Sequence, residues 1–527
     1  MKKIIALLSA LIFVITGCSS SETAAVQGSV TGQGASINSE NNDETELQLS
    51  MNMTKTLNPL LNSDETVNDV FTLMYENLVN IGEDGKAEPN IADSWTFDED
   101  GKTAHITLKS SVSFSDGSIL TADDVIYSLR TIDNAENSYY KSCTDHIKNW
   151  SAQGSYQIDI TFYDSGAGNM VYLAFPVISS AFYGGDYAVM SDNPTTAVTT
   201  GLYRFESFSP AKELMLTAAM NDFKGQAAVN KITVTMTKDR ETQLNLFTKG
   251  ITDILPAEET ELAGGNTAFN GKRVSYITNV YDFIGFNFNN AVFMDRNIRQ
   301  AIAYSLDIQN IIDGIYLGNA ERAYSPVRTS SWLYDSSVYG YDNDLTTAKM
   351  LVEQSGWRFR TSQTVRENED GRKLQAAILV NKENSERCQV AQNLASALNA
   401  LGFEVSVTEA DYQTYMDKIH NGSYDIFVGG WTVSPSNDFS NMFGTDNNVM
   451  GYSSSRMDEY ISECSAAVTD EEMVTAYGKL QNYISQELPY ISLVYRKSSV
   501  YMSQRIHGDL TPVRNRVFNG IENITVR

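Results

Sequence analysis

The sequence is short of positive charge, of histidine and of cysteine. It carries 39 Lys and Arg against 65 Asp and Glu over 527 residues, a formal charge of −26. That balance argues against a nucleic-acid partner, whose phosphates need Lys and Arg. It argues equally against docking on anionic lipid through a basic face. It favours solubility and, weakly, cationic ligands. The four histidines, His105, His146, His420 and His507, are scattered without metal-ligand spacing, so no metal site is expected and a metal-complex carrier is disfavoured. A nucleophile elbow and a zinc-protease helix with paired histidines are both missing. Gly101-Lys102-Thr103 imitates the end of a phosphate loop, but Thr96 stands where the earlier glycine is required, so a hairpin turn is expected instead. No catalytic residue and no cofactor is expected. Apart from Cys18 there are only Cys143, Cys388 and Cys464, too far apart for a zinc knuckle and enough for one disulfide at most.

Long apolar runs are missing too, except at the start, so no transmembrane helix is expected. Lys2-Lys3 is a positive leader, and 4–15 is an apolar stretch too short to span a bilayer. Ile15-Thr16-Gly17-Cys18 follows and resembles a bacterial lipobox, with Cys18 as the lipidated first residue after cleavage. Residues 1–17 are therefore read as a signal peptide. Residues 18–46, rich in Ser, Gly, Thr and Asn with little apolar content, are read as a lipidated flexible tether. The protein is expected outside the cytoplasm, held to the membrane by acyl chains.

What is present reads as a globular α/β protein. Apolar residues make up 42% and charged residues 20%, and the length calls for two or three folding units. Leu47-Gln48-Leu49-Ser50-Met51 alternates like a half-buried strand. Ser63 or Asp64 is placed to cap a helix with Val67, Val70, Phe71, Met74 and Leu78 at helical spacing. Asp100-Gly101 marks a hairpin, and Thr121 with Asp124 forms a capping-box variant. The spacing predicts amphipathic helices over 297–312 and 387–401, the second stopped by Gly402 and followed by a strand over 403–407. A further helix over 471–487 stops before Pro489, ahead of a strand over 490–495. Residues 424–443, YDIFVGGWTVSPSNDFSNMF, join an apolar run to Gly429-Gly430, the rigid face of Trp431 and a polar loop around Pro435. That stretch suits either the floor of a ligand site or a core strand with an ordinary loop.

Leu57-Asn58-Pro59, Tyr75-Glu76-Asn77-Leu78, Pro89-Asn90-Ile91-Ala92-Asp93-Ser94-Trp95, Phe114-Ser115-Asp116-Gly117 and Thr121-Ala122-Asp123-Asp124-Val125 occur in one order. Thr200-Gly201-Leu202-Tyr203-Arg204-Phe205, Gly285-Phe286-Asn287, 295–307, Gly356-Trp357, 398–405 and Gly430-Trp431 follow them. The set resembles bacterial extracellular solute-binding protein family 5, the dipeptide- and oligopeptide-binding lipoproteins of ABC importers, from about residue 47 to the end. The resemblance implies a two-lobed periplasmic-binding-protein-like fold of type II with an extra subdomain and mixed sheets flanked by helices. It implies lobe one at 47–283 with an insert near 64–195, lobe two at 284–495, and a return to lobe one at 496–527. Two strands cross between lobes, near 281–286 and 492–495, and permit a hinge.

By the same resemblance the ligand is an oligopeptide, with an oligosaccharide or a role as peptide-signal receptor as alternatives. The partners are ABC permease subunits and, through the anchor, the membrane, and the protein is a monomer. The loop after Gly430-Trp431 contacts the ligand in this family, which points to Gly430, Trp431, Thr432, Val433 and Ser434. Peptide-binding relatives carry an aspartate at the fourth of these positions after the glycine, paired with the peptide's α-ammonium. Ser434 cannot supply that charge, and Asp438 is the nearest substitute. Asn62, Ser63, Asp64 and Glu65 match a ligand-proximal loop on the facing lobe. Tyr139 or Tyr140 is expected on the insert side, and Thr278, Val280, Tyr281, Tyr495 and Arg496 are expected as walls near the crossings.

Overall fold

The computed structural model describes residues 46–184, 196–220, 223–258, 261–262, 269–361, 363–446 and 448–527. The leader, Cys18 and the tether lie outside the described residues, and Glu46 already belongs to the first strand.

Glu46–Asn52 shows the alternation read from its sequence and pairs in parallel with Lys231–Thr237. With Glu213–Ala218 and Tyr203–Ser209 these strands make a four-stranded sheet. A second four-stranded sheet, antiparallel throughout, is built from Ala92–Phe97, Thr103–Leu108, Gln157–Phe162 and Ile147–Gly154. Both sheets share one hydrophobic core, to which Val500, Met502 and 506–526 also contribute. Asp64 caps Glu65–Phe71, as expected, its carboxylate accepting from the N–H groups of Thr66 and Val67. The helix stops at Phe71, so Met74 and Leu78 reach the same core from the turns beyond it.

The third sheet is mixed. Its order is Ile254–Ala257, Tyr490–Ser503, Gly271–Phe286, Ile426–Thr432, Gln375–Asn381, Glu404–Ala410, with Ala320–Arg322 added on Tyr490–Ser503. The predicted helix–glycine–strand unit is here. Ser385–Leu401 ends on Gly402 at φ 91, a left-handed conformation that glycine adopts without strain, and Glu404–Ala410 pairs in parallel with Gln375–Asn381. The predicted helix over 297–312 is instead two, Arg296–Tyr304 and Ile308–Gly314. Asp307 breaks it, because its side chain accepts from Asn310 N–H and starts a new helix. Two further cores flank this sheet, one on each face.

Gly271–Phe286 and Tyr490–Ser503 are the longest neighbours in the molecule and pair antiparallel. One end of each packs in the first core, through Val274, Tyr276, Val500 and Met502. The other end packs in the second and third cores, through Tyr281, Phe283, Ile284, Leu493 and Tyr495. Register breaks fall between Ile277 and Tyr281 and between Asp282 and Phe283, where the strands leave one core for the next.

Asp282, 0% exposed, sits at that junction. Its Oδ1 accepts from Arg387 Nε at 3.0 Å and Nη2 at 2.7 Å, and its Oδ2 accepts from Arg496 Nε and Tyr316 Oη, each at 2.7 Å. Gly430 is the cross-strand partner of Asp282, and a Cβ there would overlap both the Arg387 guanidinium and the carboxylate. The second glycine of Gly429-Gly430 therefore makes room for a buried ion pair.

Burial alone would raise the Asp282 pKa, but Arg387 and Arg496 outweigh it and hold the carboxyl below its usual range. A depressed carboxyl stabilises the fold above about pH 4 and loses that contribution as pH falls through its folded value. Asp282→Asn leaves two guanidinium groups facing a neutral amide. The expected loss is about 3–5 kcal/mol, read as a lower urea midpoint at pH 7. A variant with the wild-type midpoint would show that the bridge does not hold the junction.

Candidate functional site

Ile426–Thr432 is a longer strand than its apolar run, carrying straight on through Gly429, Gly430 and Trp431. Along one edge it pairs with 280–286, residue by residue, including Tyr281 opposite Trp431. Along the other edge Gln375–Asn381 covers only Ile426, Phe427 and Val428. Among the described residues, no strand occupies the other edge of Gly429–Thr432.

Trp431 is half-buried, with its ring parallel to Phe283 at 6.3 Å between centroids. Its N–H is buried and faces the Tyr490 phenol without reaching hydrogen-bond geometry. Thr432 is exposed. Val433 is buried and tied to Asn279, donating its N–H at 2.9 Å and accepting from Asn279 Nδ2 at 3.1 Å. The loop beyond is held by Tyr477, whose hydroxyl donates to the carbonyls of Ser436 and Asn437 at 3.2 and 3.1 Å. Asp438 spends its carboxylate on Ser440, through N–H at 2.9 Å and Oγ at 3.0 Å. Among the described residues it has no cationic partner, so it closes its own turn.

The polar loop meets a face that the sequence pattern did not identify. Tyr172 Oη lies 3.0 Å from Ser434 Oγ and 2.8 Å from Ser436 Oγ. The His146 imidazole stacks on the Tyr172 ring at 3.7 Å with 12° between planes. Nearby contacts run along the same seam. Ala167 N–H donates to Ala467 at 3.0 Å, Arg328 Nη2 donates to the Glu83 carbonyl at 2.9 Å, and Lys86 pairs with Asp470. No local signal marks Tyr172, because the two serines its hydroxyl meets lie 262 and 264 residues further along the chain.

On the first core, Asp64 caps its helix, binds Asn52 Nδ2 at 2.8 Å and is half-buried, while Ser63 and Glu65 are exposed. Tyr139 donates its N–H to the Asn62 carbonyl at 2.7 Å and its hydroxyl to Asn515 at 3.2 Å. These residues form a second polar face at the carboxyl ends of Glu46–Asn52 and Lys231–Thr237.

One residue expected on the insert side, Tyr140, and three expected as walls, Tyr281, Tyr495 and Arg496, are engaged elsewhere. Tyr140 is buried with its hydroxyl on Asn68 Oδ1 at 2.7 Å. Tyr281 and Tyr495 lie in the third core, the first with its hydroxyl 2.7 Å from Ser492 Oγ and the second bonded to the Pro326 carbonyl. Arg496 is committed to Asp282 and to Asn384 Oδ1 at 3.1 Å. Strand alternation explains this: Tyr281 and Asp282 point to opposite faces, each of which is a packed core. Thr278 and Val280 stay half-buried at the register break, with Thr278 Oγ1 donating to the Arg496 carbonyl at 2.8 Å.

Burial pushes the His146 imidazole below its ordinary value, against the opposing pull of Asp145, Asp164 and Asp438. The neutral ring is therefore the form that fits the seam, and acidification below about pH 6.5 weakens the contact. Tyr172→Phe removes the hydroxyl that reaches both serines, about 2 kcal/mol at roughly 1 kcal/mol per hydrogen bond. Both changes are expected to part the two faces, seen as a larger radius of gyration in small-angle scattering. Profiles unchanged by either would show that the seam does not control the separation.

The described geometry has close counterparts. The family model for bacterial extracellular solute-binding proteins, family 5 Middle, matches residues 86–450. The chain is 22% identical over 468 residues to the oligopeptide-binding protein AppA of Bacillus subtilis, spanning 86% of each. It is 22% identical over 456 residues to heme-binding protein A of Haemophilus influenzae, spanning 80% of this chain and 81% of that one. A solved nickel ABC transporter protein of Bacillus halodurans superposes with a TM-score of 0.78 at 20% identity, over 91% of this chain and 100% of that one. AppA in complex with a nonapeptide superposes at 0.57 and 20% identity, over 92% and 99%. These structures share the two-lobed, periplasmic-binding-protein-like α/β fold. Among the described residues no helix is long and apolar enough to cross a membrane. The chain belongs to the bacterial extracellular solute-binding proteins of family 5: it is an extracytoplasmic substrate-binding component of an ABC importer, not an enzyme.

Proposed function

We propose that the protein binds an extended oligopeptide between two lobes and delivers it unaltered to a membrane permease. The single observation that carries the reading is the unoccupied strand edge at Gly429–Thr432. A peptide laid there adds a strand, pairing through backbone groups and leaving side chains in wet pockets that accept many sequences. Relatives named for oligopeptides and a fold neighbour holding a nonapeptide support the same ligand class. The lobes are 47–283 with 496–527, and 284–495. The two long strands are the hinge between them, and the seam at Tyr172 and Ser434 is where the lobes close. Closure that depends on differential affinity for the closed form is the signal to the permease. Cys18 is the lipid anchor, and the binding unit works as a monomer.

A sugar is the second reading. The half-buried indole of Trp431 beside Thr432, Ser434 and Ser436 offers the stacking face and hydroxyl groups that an oligosaccharide needs.

Native mass spectrometry of the purified protein is expected to show a heterogeneous peptide population released on denaturation. A single glycan mass would favour the second reading, and neither would end both. Trp431→Ala is expected to weaken peptide binding by about 2 kcal/mol, roughly thirtyfold, as a central aromatic contact does. The ligand-free protein should still melt cooperatively. Loss of folding in its place would assign the indole to the core.

A further inference from the structure

A cavity of about 820 Å³ opens where residues 333–336 cross two helices, Ser455–Ala466 and Asp470–Glu487. Sites for small molecules run to roughly 300–1,000 Å³. Met473, Tyr477, Leu480 and Ile484 of the second helix face the third core, while Val474, Gly478, Asn482 and Gln486 come round to the cavity. No lining residue belongs to the loop after Trp431 or to the polar face near Asp64.

The wall is built from within the protein. Gly478 stands inside an 18-residue helix, where glycine is a poor former. A Cβ there would lie 3.1 Å from Asp335 Oδ2. The missing side chain lets the 333–336 turn lie close, and Asp335 accepts from Asn482 Nδ2 and from Ser337 N–H, each at 2.8 Å. The Asp335 charge is thereby spent on the wall.

Cations outnumber acids along this lining, although the whole chain carries −26. Lys479 pairs with Glu463 at 2.7 Å. Arg456 is different. Among the described residues it has no carboxylate partner and donates no hydrogen bond, and its guanidinium lies 5.9 Å from the centre of the Tyr460 ring. It stands in the first turn of Ser455–Ala466, where the free N–H groups favour an anion over a cation. Asp458, two residues on, is taken by Thr445, through N–H at 2.9 Å and Oγ1 at 2.7 Å.

Tyr460 and Tyr483 meet edge to face, with 5.6 Å between ring centres and 75° between planes. Walls set that way cannot sandwich a flat heterocycle, but each offers a single face to a pyranose ring. Ser454 fixes Tyr483, the two hydroxyls lying 2.8 Å apart. Among the described residues, the Thr475 hydroxyl, the Gln486 amide and the Asn482 carbonyl oxygen have no partner in the protein. Neutral donors and acceptors beside aromatic faces suit a polyol. One free guanidinium suits one carboxylate, which it grips through two N–H groups. A hexuronate unit brings the ring, the hydroxyl groups and the carboxylate together.

We propose that this cavity is a second binding site, separate from the strand edge at Gly429–Thr432, and that it takes an acidic glycan with a hexuronate carboxylate on Arg456 and its ring on Tyr460. Occupancy there holds the protein on an acidic polysaccharide while the strand edge stays free.

The test is calorimetric titration of the full chain with a tetrasaccharide of galacturonic acid, its carboxyl-reduced neutral counterpart and an acrylate oligomer of matching charge. The wild type is expected to bind the acidic tetrasaccharide about tenfold tighter than the neutral one, the worth of one hydrogen-bonded charge pair. It should bind the acrylate oligomer more weakly than the acidic glycan. Arg456→Gln, at an exposed position, should bring the two glycans to within about twofold of each other. Tyr460→Ala should weaken both glycans by about fivefold. Peptide retention, read by mass spectrometry, should be unchanged in both variants. Equal affinity of the wild type for the two glycans, no binding of either, or a preference that survives in Arg456→Gln overturns the proposal. So does an acrylate oligomer that binds as tightly as the acidic glycan, since the site would then take any polyanion. Loss of peptide retention in either variant overturns the separation of the two sites.

Discussion

A buried carboxylate bridged by two guanidinium groups holds the middle of this molecule together. Asp282 lies where two long strands pass from one hydrophobic core into the next, and Arg387 and Arg496 reach it from a helix and from the neighbouring strand. The arrangement limits what can stand around it. Gly430 lacks a side chain because the ion pair fills the space opposite. Asn384, which starts the helix carrying Arg387, also accepts from Arg496. A pair removed this far from water is sensitive to geometry. It therefore ties the register of three strands to the position of one helix and gives the crossing a defined rest state.

Function is arranged around that fixed junction on surfaces that are less tightly specified. The loop after Trp431 is polar, small and supported from behind by Tyr477, while Tyr172 and His146 meet it from the first core. Neutral hydroxyls and a stacked imidazole make a contact of a few kcal/mol at most, weak enough to open and re-form. The polar face near Asp64 belongs to the other side of the crossing, on the end of a parallel strand pair. Rigid ion pairing in the middle and modest polar contacts at the seam fit the lobe closure proposed above.

Much of the fold was legible from local pattern. Asp64 and Thr121 appear as caps, Gly402 as a helix stop, and Glu46–Asn52 as an alternating strand, because each depends on neighbours within a few residues. The helix over 297–312 was misread as continuous, since apolar spacing carries across Asp307 and only the capping bond reveals the break. The candidate site was legible in part. The loop at Trp431 meets a facing surface, and Asp64 and Tyr139 share a polar face. Tyr140, Tyr281 and Tyr495 fall into packed cores, Arg496 is committed to Asp282, and Gly430 leaves room for that ion pair. Tyr172 carries no motif of its own, because its role depends on serines far along the chain.

By itself the sequence determined the α/β class, the order of family motifs, the acidic surface and the missing aspartate at Ser434, because each is a matter of residue type and short spacing. Only the tertiary structure decided which aromatic side chains are core, which glycine faces a guanidinium, and which serines meet Tyr172. Those outcomes depend on residues tens to hundreds of positions apart arriving at one place. Contact, burial and the pairing of charge are properties of that arrival, which no local spacing encodes.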